Sequence, residues 1–189
     1  MTSPFLMWEP DSVKNGFLVT ELFGVERVHR MKKGESFEAI FPKKAHFRFD
    51  PDFKRNTALV DCVLNIHGMM LCSERVKDFV MAKQPEALEV LPVPVLDHKK
   101  KPVEASYFLL HPTMPPDCID FKRSKVERSP DLPELIMDAS HLVIDPAKVP
   151  AARLIFRPKG YHGVLLIRRE LVAELRAAGF SGAGGRELP

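Results

Sequence analysis

The chain has 189 residues, a size at which roughly 70% of the unfolded surface can be buried, so it needs neither metal nor disulfide to fold. Hydrophobic residues make up 45% and charged residues 28%, the balance of an ordered globular protein, and 28 Lys and Arg against 25 Asp and Glu leave a net charge of +3. That charge is too small to signal nucleic-acid binding without a clustered basic face.

Cys62, Cys72 and Cys118 form no CxxC spacing, which suits reduced thiols in the cytoplasm better than a secreted disulfide framework. The start, MTSPFLMWEPDSVKNG, lacks the basic and apolar regions of a signal peptide, and no segment approaches the ~20 apolar residues that span a bilayer. The expectation is a cytoplasmic protein with no membrane partner.

Seventeen prolines favour short strands joined by turns over a helical bundle. Residues 1–57 read as a small irregular N-terminal lobe, with FEAIF (37–41) and TALVDCVL (57–64) as strand candidates there and just beyond. SERVKDFVMAK (73–83) predicts a helix: Ser73 is a candidate N-cap, Glu74 lies in the first turn, Val76, Phe79 and Val80 share one face, and Pro85 stops it. Strand candidates follow at 87–97 and 103–112, flanking the polar DHKKKP as a hairpin, then at 135–138, 141–145 and 153–158. Pro92 and Pro94 point to one side and donate no ladder hydrogen bond, which places that strand at an edge or bulge.

RRELVAELRAAGF (168–180) predicts a second helix with Leu171, Val172 and Leu175 on one face, Glu170 and Glu174 on the other, and Gly179 as a left-handed cap. Each helix follows an apolar run opened by glycine, Gly68 or Gly163, so one strand-into-helix unit is expected twice. The tail SGAGGRELP is expected to be loosely held, with 183–189 flexible. The fold class is α+β, a mixed or antiparallel sheet packed against two main helices, with the domain proper at 58–182.

The densest polar stretch is CIDFKRSKVER, 118–128. As a catalytic site it is poor: Ser124 has no GxSxG elbow, Cys118 no nucleophile signature, and Asp117 and Asp120 no identifiable base or pocket. The seven histidines are scattered without HxxxH or HExxH spacing, and in a strand over 57–64 Asp61 and Cys62 would face opposite ways, which leaves no metal set with His67. No glycine-rich phosphate cradle is present, so no cofactor is expected. PKKAHFRFDPDFKR (42–55) interleaves Phe47, Phe49 and Phe53 with Lys43, Lys44, Arg48, Lys54 and Arg55, as a base-stacking surface would, but without an RNP, KH or helix-turn-helix pattern core phenylalanines with solvated neighbours are the favoured reading.

Ser73, Glu74 and Arg75, then Pro92 and Val93, Tyr107 to Leu110, Asp120 and Ser124, Ile155 to Arg157, and Gly179, Phe180 and Gly182 come in an order and spacing that resemble immunity protein family eleven of bacterial polymorphic toxin systems. The resemblance covers roughly 58–182. Phe121 stands where members tend to carry tryptophan, and the chain ends in glycines where members continue with an apolar strand.

The resemblance implies a non-catalytic cytoplasmic antidote that binds and occludes a cognate toxin, in many such systems a nuclease, encoded beside it. Occlusion needs only a complementary surface burying on the order of 1,600 Å² in total. In this reading Asp120 and Ser124 shape a turn while Lys122, Arg123 and Lys125 project outward, and these five residues are the expected partner-binding set. At +3 the chain does not provide the acidic surface that would mimic nucleic acid in a basic nuclease cleft. The alternative is a nucleic-acid-binding or regulatory module using basic, aromatic-edged surfaces, with a hydrolase third.

Overall fold

The computed structural model describes residues 2–189, and among them the chain forms twelve β-strands and three α-helices. At the centre lies an antiparallel sheet of β4 (Cys62–Val63), β5 (Met70–Ser73), β8 (Tyr107–Pro112) and β6 (Leu88–Pro92), in that order. Met70, Leu71 and Cys72 are all buried because both faces are covered. Leu71 and its partner Leu109 join one apolar cluster, and Met70 with Leu110 joins another. β6 is the outer strand, as its prolines require: Pro92 and Pro94 are exposed while Val93 and Val95 are buried.

The expected hairpin forms, with β6 running antiparallel to β8 from Leu88↔Pro112 to Pro92↔Phe108. Its loop is closed by Asp97, whose carboxylate accepts from the backbone N–H of Lys99 and Lys101 at 2.8 and 2.9 Å. The strand expected over 87–97 divides, however. Beyond the prolines, β7 (Val95–Leu96) pairs in parallel with β3 (His46–Phe49), which in turn pairs antiparallel with β2 (Val19–Phe23). The alternation His-Phe-Arg-Phe sends Phe47 and Phe49 into the first cluster, where Phe17 stacks on Phe49 at 4.5 Å.

Both long helices leave a strand without a loop. α2 (Glu74–Met81) continues β5, and α3 (Arg169–Ala177) continues β12 (Leu166–Arg168). Val76 and Val80 of α2 and Leu171, Val172 and Leu175 of α3 meet in the second cluster, each buried side chain contributing roughly 2 kcal/mol. The repeated strand-into-helix unit is therefore real in three dimensions. Gly179 ends α3 at φ 75°.

A third sheet has β12 between β1 (Phe5–Met7) and β11 (Ile155–Phe156), all antiparallel. Its outer face supplies Phe5, Phe156 and Leu166 to a third cluster. Over them lies a bulged ribbon of β9 (Lys125–Arg128) and β10 (Ile136–His141). Hydrogen bonding crosses residue 57 in two sheets, through β1 with β12 and β3 with β7. Among the described residues no helix is long and apolar enough to cross a membrane.

Several local expectations are corrected. FEAIF is a turn: its two phenylalanines reach the core while Glu38, Ala39 and Ile40 between them are exposed, and the Ile40 N–H bonds back to the Phe37 carbonyl at 3.0 Å. TALVDCVL contributes only Cys62–Val63 as strand, since Thr57, Ala58 and Leu59 are exposed and the residues before Cys62 have no ladder partner beyond the Gly16↔Ala58 bridge. The two strands expected at 135–138 and 141–145 are one, β10, with Ile144 reduced to a bridge with Ile119. The C-terminal tail is fastened: Arg186 bridges Met7, Arg169 grips the Glu187 carboxylate through two bonds of 2.6 Å, and the Leu142 N–H reaches the Pro189 carbonyl.

Candidate functional site

The stretch 118–128 is a turn anchored on a rigid base. Cys118 and Ile119 are buried in the third cluster, and the Asp120 N–H donates to the Val143 carbonyl at 2.9 Å. One Asp120 carboxylate oxygen then accepts from the N–H of Lys122 and Arg123 at 3.0 and 3.3 Å, while its carbonyl accepts from Arg123 and Ser124. The Ser124 hydroxyl accepts from the Val143 N–H at 2.9 Å and donates to the Val143 carbonyl at 3.3 Å. Both side chains are thus spent on the backbone, as turn makers.

Lys122, Arg123 and Lys125 are exposed, and none forms an ion pair among the described residues. Beside them Phe121 is 46% exposed, with the Arg128 guanidinium 4.6 Å from its ring centre. The geometry holds a constrained, unneutralised cationic loop with an aromatic next to it.

The other chemical candidates resolve into structure. Burial pushes the Cys62 and Cys118 thiols up to about 12 and the Cys72 thiol well above its ordinary value, so all three stay protonated near neutrality and are poor nucleophiles. Cys62 is buried, whereas the Asp61 side chain is half-buried, and the His67 ring accepts from the Leu22 N–H at 3.3 Å. Among the described residues no group of three or more His, Cys, Asp or Glu converges on a common point. In the 42–55 stretch, Phe47 and Phe49 are core and only Phe53 is exposed, while Arg48 lies 4.3 Å from the Phe23 ring centre. Two of the three rings needed for base stacking are unreachable.

The motif residues bring the two strand-into-helix units together. Ser73 sits at the N-cap position of α2, yet its hydroxyl donates to the Asp61 carboxylate at 2.8 Å instead of capping. The same carboxylate accepts from the N–H and hydroxyl of Ser181, both at 3.0 Å, just past α3. Arg75 lies 5.2 Å from the Phe180 ring centre, so the Ser-Glu-Arg and Gly-Phe-x-Gly motifs meet face to face. Gly182 is obligatory there: its φ is 75°, and an added Cβ would lie 2.5 Å from the Cys62 carbonyl oxygen.

At the other end, Arg157 is buried and donates to the carbonyls of Gly68 and His162 at 2.8 and 3.0 Å, clasping the openings of both units. With no carboxylate partner, burial pulls its guanidinium down to about 10. Ser73 and Arg157 are legible as motif residues, but the joining of Asp61 to Ser181 and of Arg157 to Gly68 carries no sequence signal, because these pairs lie up to 120 residues apart.

The model of one family, described as Immunity protein family (Imm11), matches residues 17–187. The chain belongs to that family. The match extends the resemblance of 58–182 toward the N-terminus and takes in β2, β3 and α1 (Val28–Lys32) as Imm11 elements. No curated protein matches the chain. Most residues that identify this Imm11 protein thus hold its fold, and the turn at 120–125 is where its motifs leave cationic side chains free.

Proposed function

We propose that this Imm11 protein is a cytoplasmic antidote that binds the toxin encoded beside it and occludes it stoichiometrically, without turnover. The observation that carries this reading is the Imm11 match over residues 17–187, nearly the whole chain. The contact surface is centred on the turn built by Asp120 and Ser124, with Lys122, Arg123 and Lys125 reaching the toxin. A side chain already held by its backbone loses less conformational freedom on binding, and that turn is pinned at both ends.

Co-expression with the neighbouring open reading frame in a sensitive host, followed by co-purification, tests it. Restored growth and a 1:1 complex are the expected results. A toxic neighbour that is neither neutralised nor retained overturns the antidote reading and makes salt-dependent nucleic-acid binding the next assay.

A further inference from the structure

Beside the basic turn runs a groove of about 640 Å³, within the range of sites that enclose a ligand segment. Val143 and Leu188, with Pro4 and Pro146 beside them, give it an apolar lining over the buried Leu142 and Ile144, and Arg123 and His141 stand on its rim. Lys125 extends that rim, because it lies directly across the ribbon from His141. Among the side chains that line the groove one is a carboxylate, Glu187, and Arg169 already holds it through two bonds of 2.6 Å. The rim cations Arg123 and Lys125 have no such partner among the described residues.

From this pairing of apolar floor and unneutralised cations we infer that the groove seats an extended segment of the toxin in which an acidic side chain neighbours an apolar one. The inference rests on the antidote reading and adds the chemistry of the partner. The carboxylate meets Arg123 and Lys125, the guanidinium of Arg123 offering a forked pair of donors, while the apolar side chain covers Val143 and Leu188. It also fixes the charge of the toxin surface engaged. That surface is acidic, so the antidote does not work by mimicking nucleic acid in a basic cleft.

The walls need no rearrangement to receive such a segment. Val143 is bonded to Ser124 through its N–H and carbonyl, and Leu142 is fixed by its bond to the Pro189 carbonyl. Preorganisation of this kind raises affinity by removing ordering costs.

The test uses the complex with the neighbouring gene product and three forms of the full chain. These are the wild type, Arg123→Glu with Lys125→Glu on the rim, and Lys99→Glu with Lys100→Glu in the remote loop after β7 as a control for net charge. Circular dichroism first verifies that each form melts as the wild type does; should the rim reversal fail that check, Arg123→Gln with Lys125→Gln replaces it.

The expected result is a rim variant that binds about 30-fold or more weakly with a flatter salt dependence, while the control binds as the wild type. Equal weakening by both variants would reduce the effect to net charge and overturn the groove. Unchanged affinity of the rim variant alongside full rescue by the wild type would overturn the groove and leave the antidote reading standing. No binding by the wild type would take down both.

Discussion

Raising the pH above 9 should destabilise this protein through its buried thiols, and Cys62 offers the cleanest measure. It lies on β4 directly opposite Cys72 on β5, within the cluster shared by α2 and α3. Burial, reinforced by the Asp61 carboxylate, pushes its thiol from 9.0 up to about 12. A group whose folded value is raised contributes stability that is complete below the unfolded value and disappears as pH climbs through the folded one. At pH 11 the unfolded thiol is ionised and the folded thiol is not, a loss of roughly 2.7 kcal/mol at about 1.4 kcal/mol per pH unit. Cys72 and Cys118 are shifted in the same direction. Their ionisation adds to the loss in the same pH range.

Urea unfolding of the wild type and Cys62→Ala at pH 8 and pH 11, with a phosphine reductant throughout, measures the effect. At pH 8 the variant should be less stable by about 1 kcal/mol, since a buried sulfur has been deleted. At pH 11 the order should invert, because the variant has no thiol there to ionise. Parallel pH dependences in the two proteins would refute the reasoning.

Arg157→Ala should lower stability by about 3 kcal/mol or more, leaving the Gly68 and His162 carbonyls unpaired, while Arg157→Met, which keeps bulk and relieves the burial penalty, should cost less; denaturant titration of both variants gives the comparison. Gly182→Ala should lower stability by about 2 kcal/mol or more, read as a drop in thermal midpoint, because its φ of 75° and the Cys62 carbonyl oxygen leave no place for a Cβ. Asp120→Ala and Ser124→Ala should each cost about 1 kcal/mol and weaken toxin binding by freeing the chain between them; unchanged melting and affinity would remove both residues from the turn's construction.

What the sequence made legible was local. The 3.6-residue pattern of Val76, Phe79 and Val80 and of Leu171, Val172 and Leu175 located both long helices, and the paired prolines placed β6 at an edge. Asp120 was readable as a turn maker because its carboxylate serves N–H groups two and three residues on, whereas the Ser124 partner, Val143, lies 19 residues away past the end of β10. Non-local pairing was not legible. HFRF alternates cleanly, yet the charges around it drew attention to a nucleic-acid surface, and nothing in the residues shows that β7 comes alongside Phe47. FEAIF looked like a strand by composition and became a turn because three consecutive residues, Glu38, Ala39 and Ile40, are exposed, which no two-residue alternation allows. The groove floor was hidden for the same reason, since Leu188 joins it only through docking of the tail.

The order of strands in the third sheet bears on when this Imm11 protein can finish folding. Its middle strand is β12, so Phe5 and Leu6 have no neighbour to pair with until Ile167 and Arg168 have been synthesised. At about 5–20 residues per second, that leaves the N-terminal segment waiting roughly ten to thirty seconds on the ribosome. Closing so long a loop also slows the final step, since contacts distant in sequence form late. Completion of the third sheet therefore lags behind translation, and whatever depends on the intact Imm11 fold appears only after its last strands are made.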